Sequence, residues 1–173
     1  MIRLLLLVLP AYFANAVPVL LGGGKQIDLG RKFLDGRPIL GKSKTIRGFI
    51  AGTFTGLLIG ELLYLLKYVG IVFFPFPFQY ALLGLLLGFG AMLGDSIGSF
   101  IKRRIGYGSG DQVLLIDEML FIAASMALAY PLLKVSTVTL LPLEIIILLA
   151  ITWVLHKLFN FLANRYKIKN VPW

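Results

Sequence analysis

At 173 residues, 58% hydrophobic and 14% charged, with a mean hydropathy of +0.89, the chain is too apolar for a soluble domain, and the bilayer must be its solvent. The formal charge of +9 would suit nucleic acid, but the basic residues lie in loops between apolar runs, where membrane orientation accounts for them, so no nucleic-acid partner is inferred. The absence of cysteine excludes disulfides, thiolate metal sites and cysteine nucleophiles.

Apolar runs at about Ile2 to Leu21, Phe49 to Leu66, Phe78 to Gly98, Leu114 to Leu133 and Leu143 to Phe161 predict an all-α, polytopic transmembrane bundle of about five spans in a single domain. The first run has Arg3 ahead of a leucine stretch and Ala14-Asn15-Ala16 resembling a signal-peptide cleavage site, but its apolar character resumes through Leu21 and a strongly basic loop follows, which favours a retained span. Residues 25–47 hold seven Lys or Arg, 102–104 hold three, and the tail from Lys157 holds four. Only Arg3, Lys67 and Lys134 fall on the other side of alternating helices. The positive-inside rule therefore places the N-terminus outside and the C-terminus in the cytoplasm, with cytoplasmic loops at about 22–47 and 102–113 and outer loops at about 67–77 and 134–142. The expected location is the cell membrane.

The second run carries Gly48, Gly52, Gly56 and Gly60, and the third carries Gly84 with Gly88, then Gly90, Gly94 and Gly98. Glycine at i and i+4 clears one helix face for close backbone approach, so these stripes are read as packing surfaces. Phe73, Phe74, Phe76, Phe78 and Tyr80, around Pro75 and Pro77, are read as an aromatic interfacial belt.

Chemistry gathers on the cytoplasmic side. Lys42, Lys44, Thr45 and Arg47 lead into the second span, whose N-terminus presents unpaired amides to an anion, and together they form a candidate phosphate cradle. Gly36 to Ser43 also fits the G-x-x-x-x-G-K-[ST] pattern, but a P-loop needs a preceding strand and an enclosing α/β sheet, for which there is no sign. Asp95 is the sharpest signal. It lies within the third span, seven residues or ~10 Å from the Lys102-Arg103-Arg104 cluster, where an ionised carboxylate costs about 2.5–3.5 kcal/mol on insertion scales. Spacing at i, i+4 and i+7 puts Asp95, Ser99 and Lys102 on one helix face. Asp117 and Glu118 open the fourth span, where the helix dipole favours a carboxylate, and Asp95 with Asp117 at similar depth would make an oxygen-rich Mg²⁺ site.

Two segments resemble a known family. Lys42-Ser43-Lys44-Thr45-Ile46-Arg47-Gly48 looks like the K-K-T-x-E-G segment of CDP-diacylglycerol synthases, and Gly94-Asp95-Ser96 through Ser99, Lys102 and Arg103 resembles their G-D-x-x-x-S-x-x-K-R signature. The run Ile27-Asp28-Leu29-Gly30, Phe33, Asp35-Gly36-Arg37, Leu40-Gly41, Lys44-Thr45 and Arg47-Gly48 is similar to the first cytoplasmic loop of the archaeal branch, the CDP-archaeol synthases. The family's Lys-Asp pair falls here at Gly108 and Ser109, and its D-R-x-D at Asp117-Glu118-Met119-Leu120, so Asp117 carries over while the remaining metal ligand is left to Glu118 or Asp111.

The resemblance implies a cytidylyltransferase of membrane phospholipid biosynthesis, in which an isoprenoid glycerol-phosphate ether lipid attacks the α-phosphorus of CTP, releases pyrophosphate and yields unsaturated CDP-archaeol. On this reading Asp95 and Asp117 hold Mg²⁺ on the triphosphate, and Lys42, Lys44, Thr45 and Arg47 grip CTP with Asp35 and Ser99. Lys102 and Arg103 receive the lipid phosphate. The alternatives are an anion transporter using the same cationic loop and a CTP-dependent lipid kinase. Neither the residues nor the resemblance sets an oligomeric state.

Overall fold

The computed structural model describes residues 2–109, 111, 113 and 116–167, with the backbone alone at Glu118. Among these residues there is no strand, only seven α-helices, one 3₁₀ segment and two isolated bridges. The first predicted span is one rod in three pieces: α1 (Ile2–Leu7), α2 (Leu9–Ala16) and α3 (Pro18–Leu21). Pro10 and Pro18, each in a first turn, remove amide donors at the junctions. Helical hydrogen bonds meet at each junction residue: Val8 donates to Leu4 at 3.2 Å and accepts from Ala11 at 3.0 Å, and Val17 donates to Phe13 at 3.1 Å and accepts from Leu21 at 2.9 Å.

The other spans are α4 (Ile46–Tyr64, continued by the 3₁₀ segment Leu65–Val69), α5 (Pro77–Arg104), α6 (Ile116–Leu133) and α7 (Pro142–Arg165). Three stretches, Ile46–Val69, Pro77–Arg104 and Pro142–Arg165, are long and apolar enough to cross a membrane, and Leu9–Leu21 and Met119–Leu133 are shorter apolar helices. The protein is therefore an all-helical membrane bundle with apolar helical segments in all five expected places.

The glycine stripes make α5 the axis of the bundle. A β-carbon at Gly56 would stand 2.5 Å from the Cα of Gly88, and one at Gly60 2.5 Å from the Cα of Gly84, so α4 and α5 touch backbone to backbone. On its other side α5 offers Gly90 and Gly94, where a β-carbon would stand 2.5 Å from the Cα of Ser125 and 2.2 Å from the Leu120 carbonyl oxygen of α6. Ser125 reinforces that contact by donating across to the Leu87 carbonyl at 2.8 Å. α2 packs on α4 and α5, while α7 is the most peripheral, held to α2 by the 2.6 Å Tyr12–Thr152 hydroxyl pair.

The aromatic segment departs from the expected belt. Phe73, Phe74 and Tyr80 are buried, with the Phe73 and Phe74 amides donating to the Tyr80 hydroxyl at 3.0 and 3.3 Å, and only Phe76 and Phe78 remain outside, stacked on each other. A tyrosine hydroxyl inside the bundle needs partners, and the chain turning at Ser-free, proline-rich 73–77 supplies them.

Candidate active site

The segment between α3 and α4 has no helix, yet it is tightly organised. Its two ends are laced antiparallel, with the Ile46 amide donating to the Lys25 carbonyl at 3.0 Å and the Ile27 amide to the Lys44 carbonyl at 2.9 Å. Between them lies a small hairpin, in which the Phe33 amide donates to the Arg37 carbonyl at 2.8 Å and the Ile39 amide to the Arg31 carbonyl at 3.1 Å. Gly36 to Ser43 thus runs from the hairpin tip to the approach of α4, with no sheet around it.

Asp28 ties this segment together. Its carboxylate accepts from the amides of Leu40 at 2.8 Å, Gly30 at 3.0 Å and Gly41 at 3.1 Å. Burial pushes the carboxyl upward, but the three amide donors outweigh it and hold the group below its ordinary value. In the sequence Asp28 belongs to the family-like run, and its place two residues before Gly30, an Asx-turn pattern, is the signal for this tie. Asp28→Asn turns an amide toward these donors, and unpaired donors cost about 1–3 kcal/mol. The expected result is faster tryptic cleavage at the exposed Arg31 and Lys32, with the helical core intact. Because the folded carboxyl is held low, its contribution is complete above the ordinary carboxylate range and disappears only as pH falls through the lowered value.

The hairpin tip is clamped to the end of α5. Arg37 donates to the carbonyls of Arg103 at 3.2 Å and Arg104 at 2.7 Å at the helix C-terminus, where the Arg103 carbonyl also accepts from the Gly106 amide at 3.3 Å. In return Arg104 pairs with Asp35, donates to the Pro38 carbonyl and lies 4.8 Å over the Phe33 ring. Asp35, expected to contact CTP, is thus engaged in fastening the loop.

Beneath the loop runs a row of alternating charge. Lys44 donates to Asp95 at 2.5 Å, Ser99 is buried one turn further along α5, and Lys102 pairs with Asp117 at 2.6 Å while also donating to the Asp111 carbonyl at 3.0 Å. The expected common face of Asp95, Ser99 and Lys102 is therefore bracketed by Lys44 from α4's approach and Asp117 from α6. The side chains of Lys44 and Asp95 are 19% and 30% exposed and those of Lys102 and Asp117 10% and 23%, so both pairs are partly desolvated and reachable from one side. Asp117 also accepts from the Val113 amide at 2.9 Å, which fixes its carboxylate at the start of α6.

The remaining expected residues take different places. Arg103 is buried, donating to the Tyr107 carbonyl at 2.6 Å, and its Nε has no acceptor among the described residues. Gly41, at φ +94°, passes so close that a β-carbon there would lie 3.5 Å from that Nε. Thr45 caps α4 by accepting from the Gly48 amide at 3.1 Å. Lys42 and Arg47 are exposed. Asp111 closes its own turn by accepting from the Gly108 amide at 2.5 Å, and the Glu118 side chain lies outside the described residues. Among the described residues no three of His, Cys, Asp and Glu gather closely enough to hold a metal ion by themselves.

A site of this kind offers paired carboxylates, two lysines that neutralise them and a spare buried guanidinium donor, all at one end of the bundle. That is a donor and acceptor set for polyphosphate. Comparison with known proteins points the same way. The family model described as "CarS-like: CDP-archaeol synthase" matches residues 1–173. Relatives named CDP-archaeol synthase include one from Thermococcus gammatolerans, 43% identical over 166 residues and covering 96% of this chain and 92% of its own, and one from Pyrococcus abyssi, 43% identical with 96% and 94% covered. One from Archaeoglobus fulgidus is 42% identical, again with 96% and 94% covered. A solved structure described as "Structural insight into an intramembrane enzyme for archaeal membrane lipids biosynthesis" is similar at a TM-score of 0.79 and 32% identity, covering 92% of this chain and 94% of that one.

Proposed function

The chain belongs to the CDP-archaeol synthase family, and on that premise we propose that it transfers the cytidylyl group of CTP to an isoprenoid ether-lipid phosphate, at the cytoplasmic face of the membrane and with Mg²⁺. An oxygen of the lipid phosphate bonds to the α-phosphorus of CTP while the bond to the bridging oxygen breaks, and the electron pair leaves with pyrophosphate. The observation that carries this reading is the row Lys44–Asp95–Ser99–Lys102–Asp117, which lines up cation and carboxylate where a water-soluble triphosphate and a bilayer-held phosphate can both arrive.

In-line displacement at phosphorus needs charge neutralisation and alignment rather than a covalent nucleophile. Asp95 and Asp117 fit Mg²⁺, since this ion takes one or two carboxylates together with substrate phosphates and does not require an all-protein cage. When bound, it neutralises charge on the triphosphate oxygens. Lys44 and Lys102 hold the two carboxylates until the nucleotide comes, then turn to its phosphate oxygens. Arg103, with its spare Nε donor, stands ready for a further oxygen. Thr45 acts through α4, whose first turn it caps and aims.

The test is product identification. Purified protein given CTP labelled at the α-phosphate, Mg²⁺ and an ether-lipid phosphate should place the label in the lipid and release pyrophosphate. Release of CDP with an unlabelled, further phosphorylated lipid would instead establish a kinase and overturn this reading. An ester-lipid phosphate run in parallel measures the preference for ether chains.

A further inference from the structure

The side chains of Arg37, Lys44, Lys102, Arg103 and Arg104 have polar partners, while those of Lys25, Arg31, Lys32, Lys42 and Arg47, among the described residues, have none, and of these five only Lys25 and Arg47 line one groove. Lys44, Lys102 and Arg104 sit on carboxylates, while Arg37 and Arg103 sit on carbonyls. Lys25 and Arg47 are exposed and, among the described residues, make no ion pair or side-chain hydrogen bond. They flank an open groove whose other walls are Ile46, Ile50, Ala51 and Phe54. The backbone contact between Lys25 and Ile46 ties two of its walls together, so the groove is not an accident of loose side chains.

Its surface is almost wholly apolar, with Ile46, Ile50 and Phe54 exposed by 42%, 62% and 56% on α4 and the small Ala51 among them, and Lys25 and Arg47 are the charged residues that line it. This face is distinct from the buried glycine stripe, so it looks out of the bundle toward hydrocarbon. Arg47 lies in the first turn of α4, three residues along the chain from Lys44, which pairs with Asp95. A nucleotide has no use for an apolar lining. A phosphomonoester carrying branched hydrocarbon chains matches both kinds of residue, two negative charges to two cations and methyl branches to Ile, Ile and Phe.

We propose that this groove seats the lipid phosphate substrate, with Lys25 and Arg47 on its phosphate and Ile46, Ile50, Ala51 and Phe54 along the first part of one chain. The proposal rests on the cytidylyltransferase reading above. It gives Arg47 to the lipid in place of CTP, and it leaves Lys102 and Arg103 to the nucleotide. Arg47 and Lys25 are then positioning residues for the attacking oxygen, and the groove decides which chains are accepted.

The experiment uses the full chain in nanodiscs of neutral lipid, with Ala51→Trp to fill the groove and Arg47→Gln to remove one cation. Ala51→Trp should raise KM for the full-length lipid phosphate about tenfold, corresponding to about 1.4 kcal/mol, and leave KM unchanged for an analogue with chains cut to a few carbons. Arg47→Gln should raise KM for both lipids about tenfold or more, as expected for loss of a charge-assisted phosphate contact. CTP binding, titrated directly, should stay at the wild-type value in both variants and so report that they fold. Unchanged lipid KM in either folded variant would overturn the proposal, as would a weaker CTP affinity with lipid KM unchanged. A photoactivatable lipid phosphate should label the α4 residues 46–54 in the wild type. Labelling displaced equally well by an excess of phosphatidylglycerol would make the groove a seat for bulk anionic lipid and also overturn it. If the wild type makes no CDP-lipid while the photoprobe labels 46–54 selectively, the cytidylyltransferase reading fails and the lipid-phosphate seat stands.

Discussion

Asp95→Asn should lower CDP-lipid formation by about two to three orders of magnitude, the usual cost of removing one electrostatic group that acts on a developing charge. The side chain keeps its size, so α5 keeps its packing, but Lys44 loses its 2.5 Å carboxylate partner and the proposed Mg²⁺ site loses a carboxylate. Lys44→Gln should weaken CTP binding by about tenfold or more, because a cation meant for the triphosphate is gone. The double variant separates the two roles. If Lys44 serves only to neutralise Asp95, the double variant binds CTP as well as Asp95→Asn alone; if Lys44 also grips phosphate, its loss costs affinity even without Asp95. CTP titrations with and without Mg²⁺ read both quantities, and wild-type turnover in Asp95→Asn would refute the metal assignment.

Gly84→Ala should be among the most damaging single methyls at the described helix contacts. A β-carbon there would stand 2.3 Å from the Gly56 carbonyl oxygen and 2.7 Å from the Gly60 Cα, both backbone atoms that cannot rotate away. Only separation of α4 from α5 relieves the overlap. Overpacking typically costs 1–3 kcal/mol, and with backbone on both sides the expectation is about 3 kcal/mol or more. The measurement is thermal unfolding and monodispersity in detergent. Gly98→Ala, on the same helix with the Ile116 side chain at 3.2 Å as the nearest neighbour of its β-carbon, should cost far less and serves as the control for loss of a helical glycine. A Gly84→Ala protein as stable as wild type would remove the close-packed helix pair from the account.

Hydropathy located the helical segments because apolar length is what a membrane reads, but it misplaced their ends where polar residues are helical. α4 begins at Ile46 because Thr45 caps it, and α5 runs on through Lys102–Arg104, since charge does not break a helix that leaves the bilayer. The glycine stripes announced close packing without saying which helix each would meet, because i+4 spacing describes one face and not its partner. Helical spacing also joined Asp95, Ser99 and Lys102 correctly. What it could not supply was Lys44 opposite Asp95, 51 residues away, or the separation of Arg104 from its two basic neighbours. Consecutive helix residues project about 100° apart, so Arg104 turns to Asp35 and Phe33 while Lys102 turns to Asp117. The amide cage around Asp28 depends on how the loop closes, which no periodicity encodes.

The two lysine–carboxylate pairs have a consequence for how the chain enters the bilayer. Each closes within one helical hairpin: Lys44 just ahead of α4 meets Asp95 on α5, and Lys102 at the end of α5 meets Asp117 on α6. During synthesis the N-terminal partner is always made first, so each new carboxylate arrives where its counter-charge is already waiting at the same membrane surface. Neither carboxylate is therefore left to enter the hydrocarbon alone, and the two lysines serve as escorts during insertion.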